Sequence, residues 1–191
     1  MGLPGLLVPE DQGGLGLKLL DAALIAAECG RACLAEPLVD TAFVAVPWLM
    51  ANGNTNDLTA IASGGKTISL AHKVNDWVAD GDGEKLKSVD PLRNLSALPT
   101  DATDDPYLLN LGALMSSAQL IGIADAMLNQ AVEYAKARTQ FGQPIGKFQV
   151  LQHRMVDMFM EHEQSKSLMY MAAMRLDEGY GAEAQKAVSA F

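Results

Sequence analysis

The sequence is poor in the residues that mark several classes of protein. It has 2 cysteines, 3 histidines and 6% aromatic residues in a chain of 191, and its 14 basic and 23 acidic residues give a net charge of −9. Cys29 and Cys33 lie one helical turn apart, but the nearest histidine is His72, so a four-ligand zinc site lacks its ligands. We therefore expect both cysteines to be small core residues.

Other absences narrow the function further. An acidic chain without a basic stripe is not expected to bind nucleic acid. Neither His153 nor His162 follows a carboxylate at three positions, so the Glu-x-x-His pattern of a di-iron bundle is missing, and His162 is expected to be an exposed residue. The longest apolar run, residues 42–51, contains Pro47 and is shorter than the roughly 20 residues that span a bilayer. Because the first residues also lack a basic, then apolar, signal pattern, we expect a cytoplasmic protein with no membrane partner.

What is present is mainly helical. With 49% apolar residues, the chain can bury a core in one domain or two small ones. A helix is predicted over residues 21–36, with Asp21 as its N-cap and Pro37 after its end. Its expected apolar positions include Leu24, Ile25, Ala27 and Cys29. A second helix is predicted over residues 41–51.

The middle of the chain loses helical periodicity. Residues 60–64 resemble a short helix end, and residues 67–71 have the composition of a strand. Residues 73–105 are rich in Asp, Gly and Pro, which predicts either a small irregular β-segment or a loop.

The helical signal returns after residue 105. Asp105 and Pro106 predict an N-cap and first turn for a helix that runs to about residue 139. A turn with two glycines and a proline then leads into a second long helix over residues 147–177, and a third begins near Ala182. The apolar face of the second helix is predicted to contain Leu151, Met155, Met158, Phe159 and Leu168. These helices describe part of an up-down bundle.

Six of the ten methionines fall on this second helix, at positions 155, 158, 160, 169, 171 and 174. Such a stripe either fills a core or forms a flexible surface for a partner or an acyl chain. Because an incomplete bundle leaves apolar faces open, we expect a homodimer or larger assembly.

A basic segment interrupts the acidic sequence between the two long helices. Lys136, Arg138, Lys147 and Arg154 lie in or beside a stretch, residues 134–153, that has no Asp or Glu. The glutamines at positions 140, 143, 149 and 152 add amide donors. This composition suits either a compact anionic ligand such as a pyrophosphate or a solvated charged turn.

The order of residues in this segment matches a known family motif. Arg138-x-Gln-Phe-Gly, followed by Pro-Ile-Gly and then Phe-Gln, resembles the hallmark of the acyl-CoA dehydrogenase family at the start of its C-terminal helical domain. Near the start of the chain, Gly5-Leu followed by residues 8–16, VPEDQGGLG, is similar to that family's N-terminal signature. The resemblance covers roughly residues 1–72 and 107–190. Two motifs in the correct order are far more specific than either alone.

The resemblance implies a flavoprotein that removes hydrogens from the α and β carbons of an acyl-CoA thioester, with FAD as the oxidant. Arg138 matches the arginine that binds the FAD pyrophosphate of a neighbouring subunit, and Gln149 matches a glutamine that contacts FAD. Gln140 and Phe141 match positions beside the cofactor. The implied partners are an acyl-CoA substrate and either further copies of the chain or another acyl-CoA dehydrogenase chain.

The sequence also departs from the family pattern. The helices that usually precede the N-terminal signature, most of the central β-barrel, the Gly-Gly-rich FAD segment and the catalytic glutamate have no match. Glu161, Glu163, Glu178 and Glu183 have no matching context and are predicted to be solvated, so no catalytic residue is assigned. Two other hypotheses stay open: a non-catalytic helical interaction protein or truncated remnant without flavin, and a flavin oxidase or monooxygenase with the same fold.

Together these observations predict a mainly α fold in three parts. Residues 1–60 form an N-terminal helical lobe, residues 61–105 a reduced β or loop segment, and residues 106–191 an incomplete C-terminal helical bundle. Acyl-chain identity and the electron acceptor depend on pocket walls that the sequence does not identify.

Overall fold

The computed structural model describes residues 2–179 and 181–189. Within them lie the helices α1 (Leu19–Arg31), α2 (Val46–Ala51), α3 (Leu58–Ala62), α4 (Pro106–Ala137), α5 (Gln149–Asp177) and α6 (Gly181–Val188). The strands are β1 (Trp77–Ala79), β2 (Lys85–Leu86), β3 (Leu95–Ala97), β4 (Thr139–Gln140) and β5 (Gln143–Pro144). A π-helical segment (Val39–Ala45) precedes α2, and 3₁₀ turns occur at Leu3–Gly5, Glu10–Gln12 and Ile145–Lys147. The predicted mainly α fold is confirmed.

The first helix begins and ends earlier than the sequence predicts. Asp21 is its third residue rather than its N-cap, and the Asp21 carboxylate accepts a hydrogen bond from the Lys18 backbone N–H at 3.0 Å. The helix stops at Arg31 because Cys33 takes a left-handed conformation, with φ of 51°. The Leu34 N–H then donates to the Cys29 carbonyl at 2.9 Å, which satisfies a carbonyl at the helix end. Residues 32–36 are therefore not helical.

The predicted apolar face of α1 is wrong for a packing reason. Leu24 is 44% exposed, and Ile25 and Ala27 are only half-buried. The buried positions are instead mostly small residues, namely Leu19, Ala22, Ala23, Ala26, Cys29 and Gly30. Small side chains face inward because the backbone of α1 runs against that of α4. The cysteine prediction is half right, since Cys29 is buried and Cys33 is exposed.

Two glycines form the contact between α1 and α4. A Cβ placed on Gly122 of α4 would lie 1.7 Å from the carbonyl oxygen of Ala27, and one on Gly30 of α1 would lie 2.0 Å from that of Gln119. Neither distance leaves room for a methyl group. The two helices therefore pack backbone to backbone, each through a glycine of its own.

The second predicted helix is observed with an unexpected beginning. Its first seven residues, Val39–Ala45, form the π-helix, and α2 completes it to Ala51. The short helix near residue 60 is present as α3. The strand predicted at residues 67–71 is absent, because the Thr41 side chain takes the place of a neighbouring strand. Thr41 Oγ1 donates to the Ile68 carbonyl at 2.9 Å and accepts from the Ile68 N–H at 3.1 Å.

The middle of the chain is the small β-segment rather than the loop. Strands β1 and β2 both pair with β3 in antiparallel register, so the order is β1-β3-β2. Val78 and Ser96 are buried at the β1–β3 pair. Ser96 Oγ donates to the Gly81 carbonyl at 2.7 Å, which closes the turn after β1.

The start of α4 follows the prediction. The Asp105 carboxylate accepts from the Tyr107 N–H at 2.8 Å, and its second oxygen accepts from the Trp48 indole at 2.6 Å. This cap therefore also ties α4 to α2. By length and mean hydropathy alone, α4 would be long and apolar enough to cross a membrane. Core helices have the same length and composition, and the buried face of α4 packs against α1, α5 and α6.

Helices α4, α5 and α6 form the predicted partial bundle, but α5 buries a different set of side chains. Leu151, Met155 and Leu168 are half-buried, whereas Met158 and Phe159 are exposed. The buried residues of α5 are His162, Met169, Ala172, Ala173 and Leu176. The buried side chains of α5 therefore all lie between His162 and Leu176, and none in its first 13 residues is buried. Of the six methionines, Met169 fills the core and four are exposed, at positions 158, 160, 171 and 174.

One core joins the two ends of the chain. Its buried side chains run from Leu6, Leu7 and Val8 in the first turns, through Phe43 and Ile61, to residues of α4, α5 and α6. The N-terminal helices and the partial bundle thus share a single interior. The division at residues 60 and 105 stays a prediction.

We expect Gly122→Ala to lower the free energy of unfolding by about 3 kcal/mol or more, because the added methyl group forces α1 away from α4. Gly112→Ala is the matched control. It lies on the same helix, and a Cβ there meets nothing within 4 Å. Its better helix propensity should raise stability by up to about 1 kcal/mol. Chemical denaturation followed by circular dichroism measures both, and equal midpoints would contradict the close contact.

Cys33→Gly should raise the free energy of unfolding by about 0.5–1 kcal/mol, since glycine accepts the left-handed conformation without the steric cost that cysteine carries. Ala32→Gly, at the neighbouring right-handed position, should lower it by a similar amount. Thermal and urea denaturation of the two variants should therefore move in opposite directions.

Candidate functional site

The basic segment folds as a tight hairpin between α4 and α5. The Arg138 N–H closes the last turn of α4 on the Tyr134 carbonyl, and the Arg138 carbonyl accepts from the Ile145 N–H, both at 2.8 Å. Strands β4 and β5 pair Thr139 with Pro144 and Gln140 with Gln143. The backbone of Arg138 is therefore held at both ends, and only its side chain is left to bind a ligand.

Phe141 sits at the tip of this hairpin in a costly conformation. Phe141 and Gly142 have φ values of 52° and 78°, the pattern of a type I′ turn, in which a bulky residue is unusual. The Phe141 side chain is 92% exposed and touches Phe148 edge to face, with ring centroids 6.1 Å apart. An aromatic ring that is almost fully exposed at a strained tip gains little from the fold beyond this one edge contact, which points to a contact outside the chain.

The four predicted site residues lie on one exposed connection. Arg138, Gln140 and Phe141 belong to the hairpin, and Gln149 is the first residue of α5. All four are exposed. The structure thus groups them on one short segment of surface, but it does not enclose them.

The charge of the hairpin is smaller than the sequence suggests. Lys136 pairs with Glu133 at 2.6 Å, one turn earlier in α4. Across residues 2–179 and 181–189, Arg138, Lys147 and Arg154 form no ion pair with a carboxylate. Three cations therefore stay available for an anion, close to the N-terminus of the 29-residue helix α5, whose dipole also favours negative charge.

A groove of about 490 Å³ lies between residues 117–131 of α4 and residues 158–165 of α5. Its lining includes Leu120, Met127 and Met158, with His162 at its floor. The sequence predicted an exposed His162, but the residue is 8% exposed. The prediction of an exposed His162 is wrong because it assigned the inward positions of α5 to larger apolar residues, whereas His162 lies on the face toward α4.

His162 is surrounded by charges that already have partners. Its ring nitrogens lie 3.9 Å from Asp125 and 3.4 Å from Glu163, and neither makes a hydrogen bond. Asp125 is paired with Arg31 of α1, and Glu163 with Lys166 at 2.6 Å. The hydrogen bond from Lys166 lowers the pKa of the Glu163 carboxyl. Both carboxylates are thus engaged elsewhere, and the imidazole is left buried without a partner.

A second cavity, of about 270 Å³, lies between the π-helix, the small sheet and the first half of α4. Val44, Trp77 and Ala113 contribute to its walls, and the Arg93–Asp40 ion pair, at 2.7 Å, closes one side. This cavity is separated along α4 from the hairpin, which lies at the other end of that helix.

A catalytic base is not identified by the geometry. Glu161 and Glu178 are exposed, and Glu178 and Glu183 both pair with Arg175. None of these carboxylates lines the second cavity. Among the described residues, no cluster of three or more His, Cys, Asp or Glu side chains is arranged to hold a metal ion.

Two family models match the chain. The model for the "Acyl-CoA dehydrogenase, C-terminal domain" matches residues 106–190, and that for the "Acyl-CoA dehydrogenase, N-terminal domain" matches residues 1–57. The chain is 34% identical over 184 residues to acyl-CoA dehydrogenase IpdE2 of Mycobacterium tuberculosis. That match covers 83% of this chain and 58% of the relative, so the chain spans under two thirds of the length of this relative.

The fold is also found in solved structures. The ChsE4–ChsE5 complex from Mycobacterium tuberculosis contains a chain that superposes with a TM-score of 0.77 at 19% identity, covering 98% of this chain and 69% of that one. The FAD complex of PigA superposes with a TM-score of 0.68 at 18% identity, covering 98% and 73%. At these identities the match establishes the architecture.

We expect His162→Leu to raise the free energy of unfolding at pH 8 by about 1–2 kcal/mol, because it replaces two buried ring nitrogens that make no hydrogen bond with methyl groups. Gln164→Leu, two residues away and exposed, is the control and should change stability by less than about 0.5 kcal/mol. Denaturation midpoints test this, and a destabilised His162→Leu protein would show that the imidazole has a partner.

Proposed function

Because this chain belongs to the acyl-CoA dehydrogenase family, we propose that it forms part of a FAD-dependent oxidoreductase that converts an acyl-CoA thioester to its α,β-unsaturated form. FAD, when bound, would supply the oxidising half of this reaction by accepting the hydride from the β carbon. The substrate class and the oxidant are those that the family implies. The proposal for this chain depends on the hairpin between α4 and α5.

The observation that carries the proposal is the fit of the hairpin to a pyrophosphate. A fixed backbone presents the Arg138 guanidinium with no carboxylate partner in the described chain, and an arginine fork binds phosphate oxygens in pairs. Gln140 and Gln149 add neutral donors on the same segment, and Phe141 offers an apolar face. Arg138 would therefore hold the pyrophosphate, with the two amides and the ring beside it.

This site is one wall rather than a closed pocket. All four residues are exposed, whereas a cofactor of this size is held in a concave site that buries most of its surface. A second protein surface must therefore close over the hairpin. The solved ChsE4–ChsE5 structure is a complex, which supports a partner chain here as well.

The residues of this chain would bind and orient, while the proton-accepting carboxylate would come from elsewhere. Among the described glutamates, none lines the cavity beside the small sheet, and Glu161, which lines the groove between α4 and α5, is exposed. We therefore propose that the partner, a further copy or another acyl-CoA dehydrogenase chain, contributes to the reacting centre. If a carboxylate of that partner removes the α-proton, the residues of the hairpin act neither as an acid nor as a base.

Arg138→Ala should weaken FAD binding by about 10- to 100-fold, the range for loss of a charge-assisted hydrogen-bonded pair. Arg138→Lys should recover part of the affinity, because it keeps the charge and loses the fork. Lys87→Ala, which removes an exposed cation directly after β2 and outside the hairpin, is the control and should change affinity less than about threefold, as expected for loss of a single solvent-exposed charge. Flavin absorbance titrations, alone and with a full-length acyl-CoA dehydrogenase chain, measure these affinities.

Circular dichroism should show unchanged helicity in all three variants, since the Arg138 side chain is exposed and makes no hydrogen bond or ion pair within the described residues. Equal FAD affinity for Arg138→Ala and the unmodified chain would remove Arg138 from the site. A chain that binds no FAD in either condition would favour the non-catalytic interaction protein instead.

A further inference from the structure

We infer that Cys29 and Cys33 form a redox-active pair, which hydrogen peroxide converts to an intramolecular disulfide and a dithiol reductant restores. They are the two cysteines of the chain, one in the last turn of α1 and the other two residues beyond its end. This cysteine pair lies beside the middle of α4 rather than at the hairpin that follows α4, so the inference does not depend on flavin binding.

Cys33 occupies a backbone position that favours glycine. Its φ of 51° lies in the left-handed region, where any side chain has a steric cost. The residue is exposed, so its side chain gains little from packing. A cysteine that carries this cost without burial points to a use of its thiol.

The cap at the end of α1 holds the two cysteines close together. The Leu34 N–H donates to the Cys29 carbonyl and the Cys33 N–H to the Gly30 carbonyl, both at 2.9 Å. The chain is thereby folded back on the helix end, and we expect the two Cα atoms to lie roughly 6 Å apart, as they do for residues four apart in a helix. A disulfide spans Cα separations of about 4.4–6.8 Å, so the pair is within reach of a bond.

Both cysteines border the same cavity. It has a volume of about 400 Å³ and lies between the end of α1 and residues 116–123 of α4, with Asp90 and Arg93 of the β2–β3 connection also in its wall. The sulfur atoms of a disulfide are only about 2.05 Å apart, so the two thiols must turn toward each other to form one. The cavity gives them the space to do so.

The two thiols differ in their surroundings and therefore in their roles. Cys29 is buried, and this burial raises the pKa of its thiol, so little thiolate is present and reagents have poor access to it. Cys33 is exposed. Cys33 is thus the thiol that meets peroxide first, and Cys29 is the thiol that completes the disulfide.

The chemistry needs only peroxide as the oxidant. The Cys33 thiolate attacks one peroxide oxygen and the O–O bond breaks, which leaves a sulfenic acid on Cys33 and, after protonation of the departing oxygen, one water. The Cys29 sulfur then loses its proton and attacks the Cys33 sulfur, the S–O bond breaks, and a second water leaves. Two thiols have given two electrons and two protons, and one peroxide has become two waters.

Peptide mapping of the purified chain tests the bond. Trypsin cleaves after Arg31, between the two cysteines, and next after Lys66. A reduced chain that is treated with equimolar hydrogen peroxide and quenched with N-ethylmaleimide should therefore yield residues 19–31 joined to residues 32–66, and dithiothreitol should separate them. The oxidised chain should migrate as a monomer on a non-reducing denaturing gel. Unlinked peptides, or linkage confined to a dimer band, would overturn the inference.

Two variants test the role of each thiol. In Cys29→Ala, excess peroxide should take Cys33 to the sulfinic or sulfonic acid, which dithiothreitol does not reduce, because the second thiol is missing. In Cys33→Gly, which suits the left-handed cap, the Cys29 thiol should react at least about tenfold more slowly than the Cys33 thiol does in Cys29→Ala, because Cys29 is buried. Time courses of peroxide treatment followed by mass spectrometry measure both rates. Equal rates would contradict the assigned roles.

The bond must also form in the folded chain. Cys29 is next to Gly30, whose backbone lies against the Gln119 carbonyl of α4, so release of α1 from α4 would expose Cys29 by unfolding. We expect the far-ultraviolet circular dichroism spectrum to be the same before and after oxidation without denaturant. Oxidation that requires urea, or that removes the helical signal, would show that the unfolded chain reacts and would reject a pair built into the fold.

Discussion

The fold depends on the direct backbone contact between α1 and α4 at Gly30 and Gly122. Because the two helices approach without side chains between them, the inward positions of α1 after Leu19 are all alanine, cysteine or glycine. The close fit also fixes α4, against which α5, α6 and the π-helical segment pack. One edge of α4 is thereby buried, and the opposite edge, with Leu120 and Met127, is left facing solvent.

Local signals in the sequence predict element positions well where a side chain acts on its own backbone. Asp105 caps α4 as expected, and the glycine-containing turn reverses the chain near Gly142. Prediction fails where distant residues decide. Residues 67–71 have strand composition, but Thr41 satisfies the Ile68 backbone instead. Large apolar residues of α1 were expected inside, yet the close helix contact admits only small ones, so Leu24 faces water.

The candidate site was likewise predictable only where local sequence decides its structure. Its position, at the turn between two long helices, follows from the motif and the charge pattern, while the cofactor roles of Arg138, Gln140, Phe141 and Gln149 come from family resemblance. Their common exposure was not predictable, because it depends on which surfaces the rest of the chain leaves uncovered. The burial of His162 was missed for a related reason, since no periodicity distinguishes a histidine that faces α4 from one that faces solvent.

Electrostatics explains why so small a basic segment matters. On a chain of net charge −9, a doubly negative pyrophosphate is repelled by most of the surface. Arg138 and Lys147, together with the N-terminus of α5, favour a positive potential over one short stretch of this negative surface. At physiological salt, only acidic side chains within about 8 Å of that stretch can oppose it strongly. No acidic side chain occurs in residues 134–153, so none within this segment cancels its positive charge. The proposed anion site therefore depends on the absence of acidic residues as well as on the cations.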